Sequence, residues 1–172
     1  MNETVKNLLE RRSIRKYLEK EVPDELIEEI VKCGTYAPTG KGMQSPIILV
    51  IKDKETRDKI SKINASILGT TSDPFYGAPV VIIVLANKEH ATYIYDGSCV
   101  MENLMVAAHS LGLGSCWIHR AKETFETEEG KQILKDLNIV GDYEGIGNCI
   151  IGYPAGEMPV AKDRKDNYIY VI

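Results

Sequence analysis

Four cations crowd into seven residues at Arg11-Arg12-Ser13-Ile14-Arg15-Lys16-Tyr17. In a helix Arg11 and Arg15 lie four apart on one face, and in an extended chain Arg11, Ser13 and Arg15 point to one side, so both geometries aim the two arginines together. Guanidinium forks beside a hydroxyl are groups that hold a phosphate. The plain alternative is a solvated helix end whose cations face the C-terminal dipole, and this stretch alone does not decide between the two.

A second cluster, "AKDRKD", stands near the other end of the chain, where extended backbone puts Lys162 and Arg164 on one side and Asp163 on the other. A third segment, "YAPTGKGMQSP", carries Pro38, Gly40 and Gly42, which allow close backbone approach, and Thr39 and Gln44, which offer hydrogen bonds. On composition alone it suits an ordinary helix-to-strand loop.

Other chemistries are poorly served. Gly112 with Gly114, and Gly145 with Gly147, begin a dinucleotide pattern, but Trp117 and Ile150 stand where its third glycine belongs, and each pair precedes a strand. No G-x-x-x-x-G-K-[ST] and no G-x-S-x-G occurs. His90, His109 and His119 have no metal-ligand spacing, and no metal is expected. Cys33, Cys99, Cys116 and Cys149 sit singly among apolar neighbours as buried free thiols.

The net charge of −4, from 25 acidic and 21 basic side chains, argues against a nucleic-acid binder, so any anion site must be local. No apolar run reaches the roughly 20 residues that span a bilayer, and the amino terminus lacks a signal-like run. A soluble, cytoplasmic protein with no membrane partner is expected. At 172 residues and 44% hydrophobic, one domain over residues 1–172 is the expectation.

The elements that must position these clusters follow from periodicity. A short helix starts after Asn2, and a second runs through "PDELIEEIVKCG" with Gly34 after its end. "IILVI" and "APVVIIVLA" are buried strands, separated by the helical "KETRDKISKINASIL". Asp96 to Leu111 forms a helix apolar nearly all round, covered by this domain or by a second chain. "GSCWIH" and "GNCIIGYP" are strands with the helix "TEEGKQILKDL" between them, and the tail "NYIYVI" alternates like a strand that pairs with its own chain or another subunit. Without strict βαβ alternation the fold class is α+β.

Taken in order, "LLERRSIRKY", "YAPTGKGMQSP", "DPFYGAPVVIIVLA", "NLMVAAHSLGLGSCWI", "IIGYP" and "KDR" resemble the FMN-dependent nitroreductase family over essentially the whole chain. The resemblance implies a central, mainly antiparallel sheet flanked by helices in an intertwined homodimer, with FMN at the subunit interface. It places Arg11, Arg12, Ser13 and Arg15 on the ribityl chain, phosphate and pyrimidine edge, and Lys162 and Arg164 on the phosphate. Pro38, Thr39, Gly40 and Gln44 match the loop that reaches the flavin from the partner. Asn64 matches a polar residue near the ring's edge. Trp117, Ile118 and His119 match the strand end facing the ring, with the His119 amide as donor to N5, and Arg120 or Arg15 near N1 and C2=O. The chain departs from the family pattern at Gly42, commonly Asn, and at Ser45-Pro46, where Pro-Trp is familiar. It also keeps only "NKEHATYIY" where larger members insert helices that cover the substrate.

The implied activity is an NAD(P)H oxidoreductase passing hydride from NADH or NADPH through FMN to a nitroaromatic, quinone or similar small oxidant by ping-pong kinetics, with no catalytic side chain. An FMN-binding carrier or sensor with little turnover is the alternative, and a phosphate-ligand domain without flavin is a third.

Overall fold

Asn2 accepts the Val5 amide hydrogen on its side chain at 3.0 Å, the N-cap bond expected from sequence, and α1 follows as Glu3–Glu10. The computed structural model describes residues 1–172. Helix α2 spans Asp24–Thr35, with Pro23 at its N-cap and Asp24 and Glu25 facing the positive end of the helix dipole. Helix α3, Lys54–Leu68, is capped by Asp53, which accepts the Thr56 amide hydrogen at 2.8 Å, and stops at Gly69 with a left-handed φ of 74°. Helices α4, α5 and α6 are Tyr93–Ser110, Ala121–Glu126 and Glu128–Asp136.

Four strands, β1 Pro46–Ile51, β2 Val80–Asn87, β3 Gly114–Ile118 and β4 Tyr143–Gly152, form one antiparallel sheet in the order β1-β2-β4-β3. The α+β class with an antiparallel sheet between helices agrees with the sequence expectation. The unbroken apolar run of β2 has its cause in burial on both faces. Val80, Ile82 and Val84 join Ile30 of α2 and Met101 and Leu104 of α4, whereas Val81, Ile83 and Leu85 join Ile60 of α3 and Phe125 of α5.

The free edge of β3 is covered by the chain after α1. Ser13 bridges Ser115 in parallel, the Ile14 amide donates to Ser115 O at 2.9 Å, and Tyr17 bridges Pro154. Ile14 lies so close to Gly114 that a Cβ there would sit 2.8 Å from Ile14 Cγ1, which is why the strand opens on glycine. The first cation cluster therefore runs along the sheet edge.

Five expectations need correction. Of the four cysteines expected to be buried, Cys116 and Cys149 are, but Cys33 on α2 is exposed and Cys99 on α4 is half-buried. Gly34 lies inside α2 and not after it: a Cβ would meet Leu104 Cδ2 at 2.8 Å, so the glycine allows α2 to pack closely on α4. Helix α4 starts at Tyr93, three residues before Asp96. The six-residue α5 was not anticipated; it crosses β4 where Gly145 has no side chain, a Cβ there falling 2.3 Å from the Ala121 carbonyl oxygen. The tail forms no strand within the chain. Asp166–Tyr168 is a 3-10 turn and Tyr168 through Ile172 are exposed, so of the two expected pairings the one within the chain does not form.

Candidate functional site

Arg11 ends α1 and turns inward toward α4, where its Nε stands 3.7 Å from Glu102 Oε1, an ion pair too long for a hydrogen bond. Its Nε and Nη1 are buried without any hydrogen-bond partner, as is Nε of Arg12. Arg12 bends back, its Nη1 donating to the carbonyls of Leu9 at 2.7 Å and Arg11 at 2.6 Å, so part of this cation caps the C-terminus of α1. Ser13 is half-buried at the β3 edge, opposite Ser115, whose Oγ is also buried and unpartnered. Arg15 is exposed. His109 in the last turn of α4 is pushed below its ordinary pKa first by burial and then by Arg11 and Arg12, against the pull of Glu10. The arginines, and not the histidine, thus supply the positive charge near neutral pH.

At the far end of β3 the chain turns sharply. Trp117 is half-buried over Gly147, whose absent Cβ would sit 2.5 Å from the indole Nε1. Ile118 is buried, His119 is exposed, and Arg120 adopts a left-handed φ of 71°, rare for a residue with a Cβ. Asn64 of α3 is fully buried beneath this turn. Its Nδ2 donates to His119 O at 2.8 Å, and its Oδ1 accepts from Arg120 Nε at 3.2 Å. Both polar atoms of Asn64 are therefore committed within the chain, and it supports the strand end instead of facing outward.

The loop between α2 and β1 is built around Asp96. The buried carboxylate accepts the Gly40 amide hydrogen at 2.9 Å, the Ser45 hydroxyl at 2.7 Å and the Thr92 hydroxyl at 3.1 Å. Burial pushes its pKa up, but these three donors outweigh it and hold the carboxyl below its ordinary value. Gly40 is explained by packing, since a Cβ would lie 2.2 Å from Thr92 Oγ1. Thr39 Oγ1 accepts the Gln44 amide hydrogen at 3.0 Å, and Gln44 itself has a left-handed φ of 50°. Pro38 and Gln44 are exposed. Thr39 and Gln44 line a groove of about 430 Å³ with Ile48 and Val100.

Lys162 and Arg164 are exposed on the tail and make no ion pair within the chain. The tail leaves β4 beside the first cluster, where the Ala155 amide donates to Lys16 O at 2.9 Å. One chain thus gathers Arg11, Arg12 and Ser13 at one end of the β3 edge and His119, Arg120 and Asn64 at the other. It leaves the Pro38 to Gln44 loop and the tail cations as separate outward-facing parts. A larger groove of about 720 Å³ runs along the acidic side of α2, lined by Glu25, Glu28 and Glu29, and includes none of the predicted site residues.

A sequence model described as the nitroreductase family matches residues 8–74 and 67–153. The chain belongs to the nitroreductase family. An Archaeoglobus fulgidus protein provisionally named as an NADH dehydrogenase/NAD(P)H nitroreductase is 31% identical over 98% of this chain and 91% of its own length. A Bacillus subtilis protein named FMN reductase [NAD(P)H] is 35% identical over 90% of this chain and 67% of its own length. The crystal structure of a Bacteroides fragilis nitroreductase with bound FMN superposes with a TM-score of 0.91 over 100% of both chains, at 25% identity.

The residues of this nitroreductase suit that cofactor's chemistry. Buried guanidinium nitrogens without acceptors, next to a hydroxyl without a partner, are a donor set awaiting phosphate and hydroxyl oxygens. Sequence reasoning missed Asp96 as the loop's anchor, although a lone acid opening an apolar helix was visible. It also missed Asn148, a buried amide in β4, whose signal was one polar residue in the apolar "GNCIIG".

Proposed function

We propose that this nitroreductase is an FMN-dependent NAD(P)H oxidoreductase, one domain over residues 1–172. It passes hydride from a nicotinamide donor to a nitroaromatic, quinone or similar small oxidant by ping-pong kinetics. The observation that carries this reading is the pair of buried, partnerless nitrogens on Arg11 beside the β3 edge. Arg11, Arg12 and Ser13, with Lys162 and Arg164 from the tail, hold the phosphate and ribityl end. The strand end at Trp117, Ile118 and His119, with Arg120 and Arg15, faces the ring, and Asn64 acts through His119 and Arg120. When bound, FMN takes up and passes on the hydride. The chain's own part is to bind and orient it, and no side chain need move a proton.

The Pro38 to Gln44 loop completes the site of a partner subunit in a homodimer. Two features support this: the loop is tied down by Asp96 yet leaves its Pro38 and Gln44 exposed, and the residues assigned here to the cofactor lie along the covered β3 edge and not in a deep groove of the single chain. The test is spectroscopic. Protein reconstituted with FMN should be yellow with about one flavin per chain, and NADH or NADPH should bleach that colour under anaerobic conditions, with an added quinone restoring it. Flavin that binds but is not bleached by either nucleotide makes the protein a carrier or sensor. Absence of any bound flavin overturns the proposal.

A further inference from the structure

Two buried amides meet at the exit of β3. Asn148 of β4 is fully buried on the sheet face that packs against α3, and its Nδ2 donates to Ile118 O at 3.1 Å and to His119 O at 3.3 Å. Asn64 Nδ2 donates to the same His119 carbonyl at 2.8 Å. The Asn148 Oδ1 is buried and has no partner. Turning the amide over would aim an acceptor at two carbonyl oxygens, so the donors fix its orientation even though its acceptor stays unmet. A buried polar atom left unsatisfied in a core strand calls for a reason beyond packing.

Peptide planarity supplies one. All peptide bonds here are trans, so a carbonyl and the N–H of the next residue point in opposite directions. With the Ile118 and His119 carbonyls drawn inward to the asparagines, the amide N–H groups of His119 and Arg120 are turned outward together. Neither donates to any backbone or side-chain acceptor of the chain. The left-handed Arg120 is the backbone's accommodation of two successive inward carbonyls, and Asn64 Oδ1 steadies it through Arg120 Nε.

We propose that Asn148, assisted by Asn64, is a positioning residue that turns the His119 and Arg120 amide donors outward toward the flavin ring. The proposal rests on the FMN reading above. Electron density on the ring's nitrogen and oxygen edge rises on reduction, so fixed donors there favour the reduced over the oxidised cofactor.

The test compares wild type, Asn148→Leu and Asn64→Leu. Leucine keeps the branching of asparagine at Cγ but is bulkier and cannot donate a hydrogen bond, so stability is read separately; a purely structural role predicts altered stability with unchanged flavin properties in whatever variant folds. The positioning role predicts that Asn148→Leu binds both FMN and riboflavin about three- to tenfold more weakly, because the lost donors face the ring that both share. The reduced cofactor should lose about tenfold more affinity than the oxidised one, a midpoint shift of about 30 mV to the negative. Asn64→Leu leaves His119 O one donor and should show a smaller shift of the same sign, which keeps the proposal testable where Asn148→Leu does not fold. Folded variants with wild-type potential and affinity overturn it. A wild-type protein that takes up no flavin defeats the FMN reading instead.

Discussion

The Asp96 carboxylate on α4 accepts the Gly40 amide hydrogen and so ties the α2 to β1 loop to the start of the helix, across 56 positions of sequence. The same carboxylate holds the buried Ser45 hydroxyl at 2.7 Å. Asp96→Ala leaves three donors without their acceptor, the buried Ser45 hydroxyl and the part-buried Gly40 amide and Thr92 hydroxyl; at about 1–3 kcal/mol for a fully buried group and less for the part-buried ones, a total loss of roughly 2–4 kcal/mol is expected. Asp96→Asn keeps an acceptor and should lose less than half as much. Urea unfolding with an unchanged slope measures both, and an alanine variant within about 0.5 kcal/mol of wild type rules the clamp out.

Acid should weaken the fold at two carboxylates. Asp73 resembles Asp96: burial pushes it up, but Arg57, the Ser61 hydroxyl and the Gly77 and Phe75 amides outweigh that and hold it low. A folded pKa below the unfolded one means that the unfolded chain binds more protons. The stability these groups contribute is therefore complete above about pH 5 and is lost as pH falls through the usual carboxylate value near 4 and below. Unfolding free energies at pH 6, 5, 4 and 3 should stay level and then decline. The double variant Asp73→Asn, Asp96→Asn should start lower and decline less. Parallel curves for the two proteins would remove these carboxylates as the cause.

How much of this was legible depends on whether the cause was local. The Asn2 cap, the helix at "PDELIEEIVKC" and the two-faced burial of β2 are written in spacing and residue type, and the structure agrees with them. The cations Arg11 and Arg12 were visible as charge, but not that Arg12 would spend Nη1 on its own helix end, because that depends on where α1 stops. Gly34, Gly40 and Gly145 suggest turns when read locally. Each is instead a contact point with Leu104, Thr92 or Ala121, partners between 24 and 70 positions away that no short window contains. Asn148 and Asp96 were invisible as site components for the same reason. Their partners come from other elements, and one polar residue in an apolar run does not name its acceptor.

Helix α1 buries no residue, yet Val5, Leu8 and Leu9 share one of its faces and remain exposed, at 41%, 53% and 58%. Tyr95 on α4 is 72% exposed, and the tail adds Ile169 and Tyr170. This much apolar surface fits a second copy of the chain. The wild type should sediment as a dimer. Leu8→Glu with Leu9→Glu should shift it toward monomer and weaken FMN retention, with the helical content by circular dichroism preserved. A charged double variant that stays dimeric and keeps its flavin places the interface elsewhere.

Arg164 offers the sharpest test of the cofactor assignment because it is exposed, makes no ion pair within the chain and contributes nothing visible to the fold. A charge-assisted hydrogen bond is worth roughly 1.5–3 kcal/mol, so Arg164→Ala should weaken FMN binding by roughly 10- to 100-fold. Riboflavin lacks the phosphate, and its affinity should barely change in the same variant. A solvated tail cation would leave both ligands untouched, since exposed charges contribute little. An equal loss for FMN and riboflavin would mean damage to the assembly and not to a phosphate contact, and would remove Arg164 from the site. With FMN saturating, hydride transfer should stay near the wild-type rate, because the proposed contact is with the phosphate end of the cofactor and not with its reacting ring. Asn148→Leu, acting at the ring, should show the reverse pattern: similar losses for FMN and riboflavin, and a shifted potential that saturating FMN does not restore.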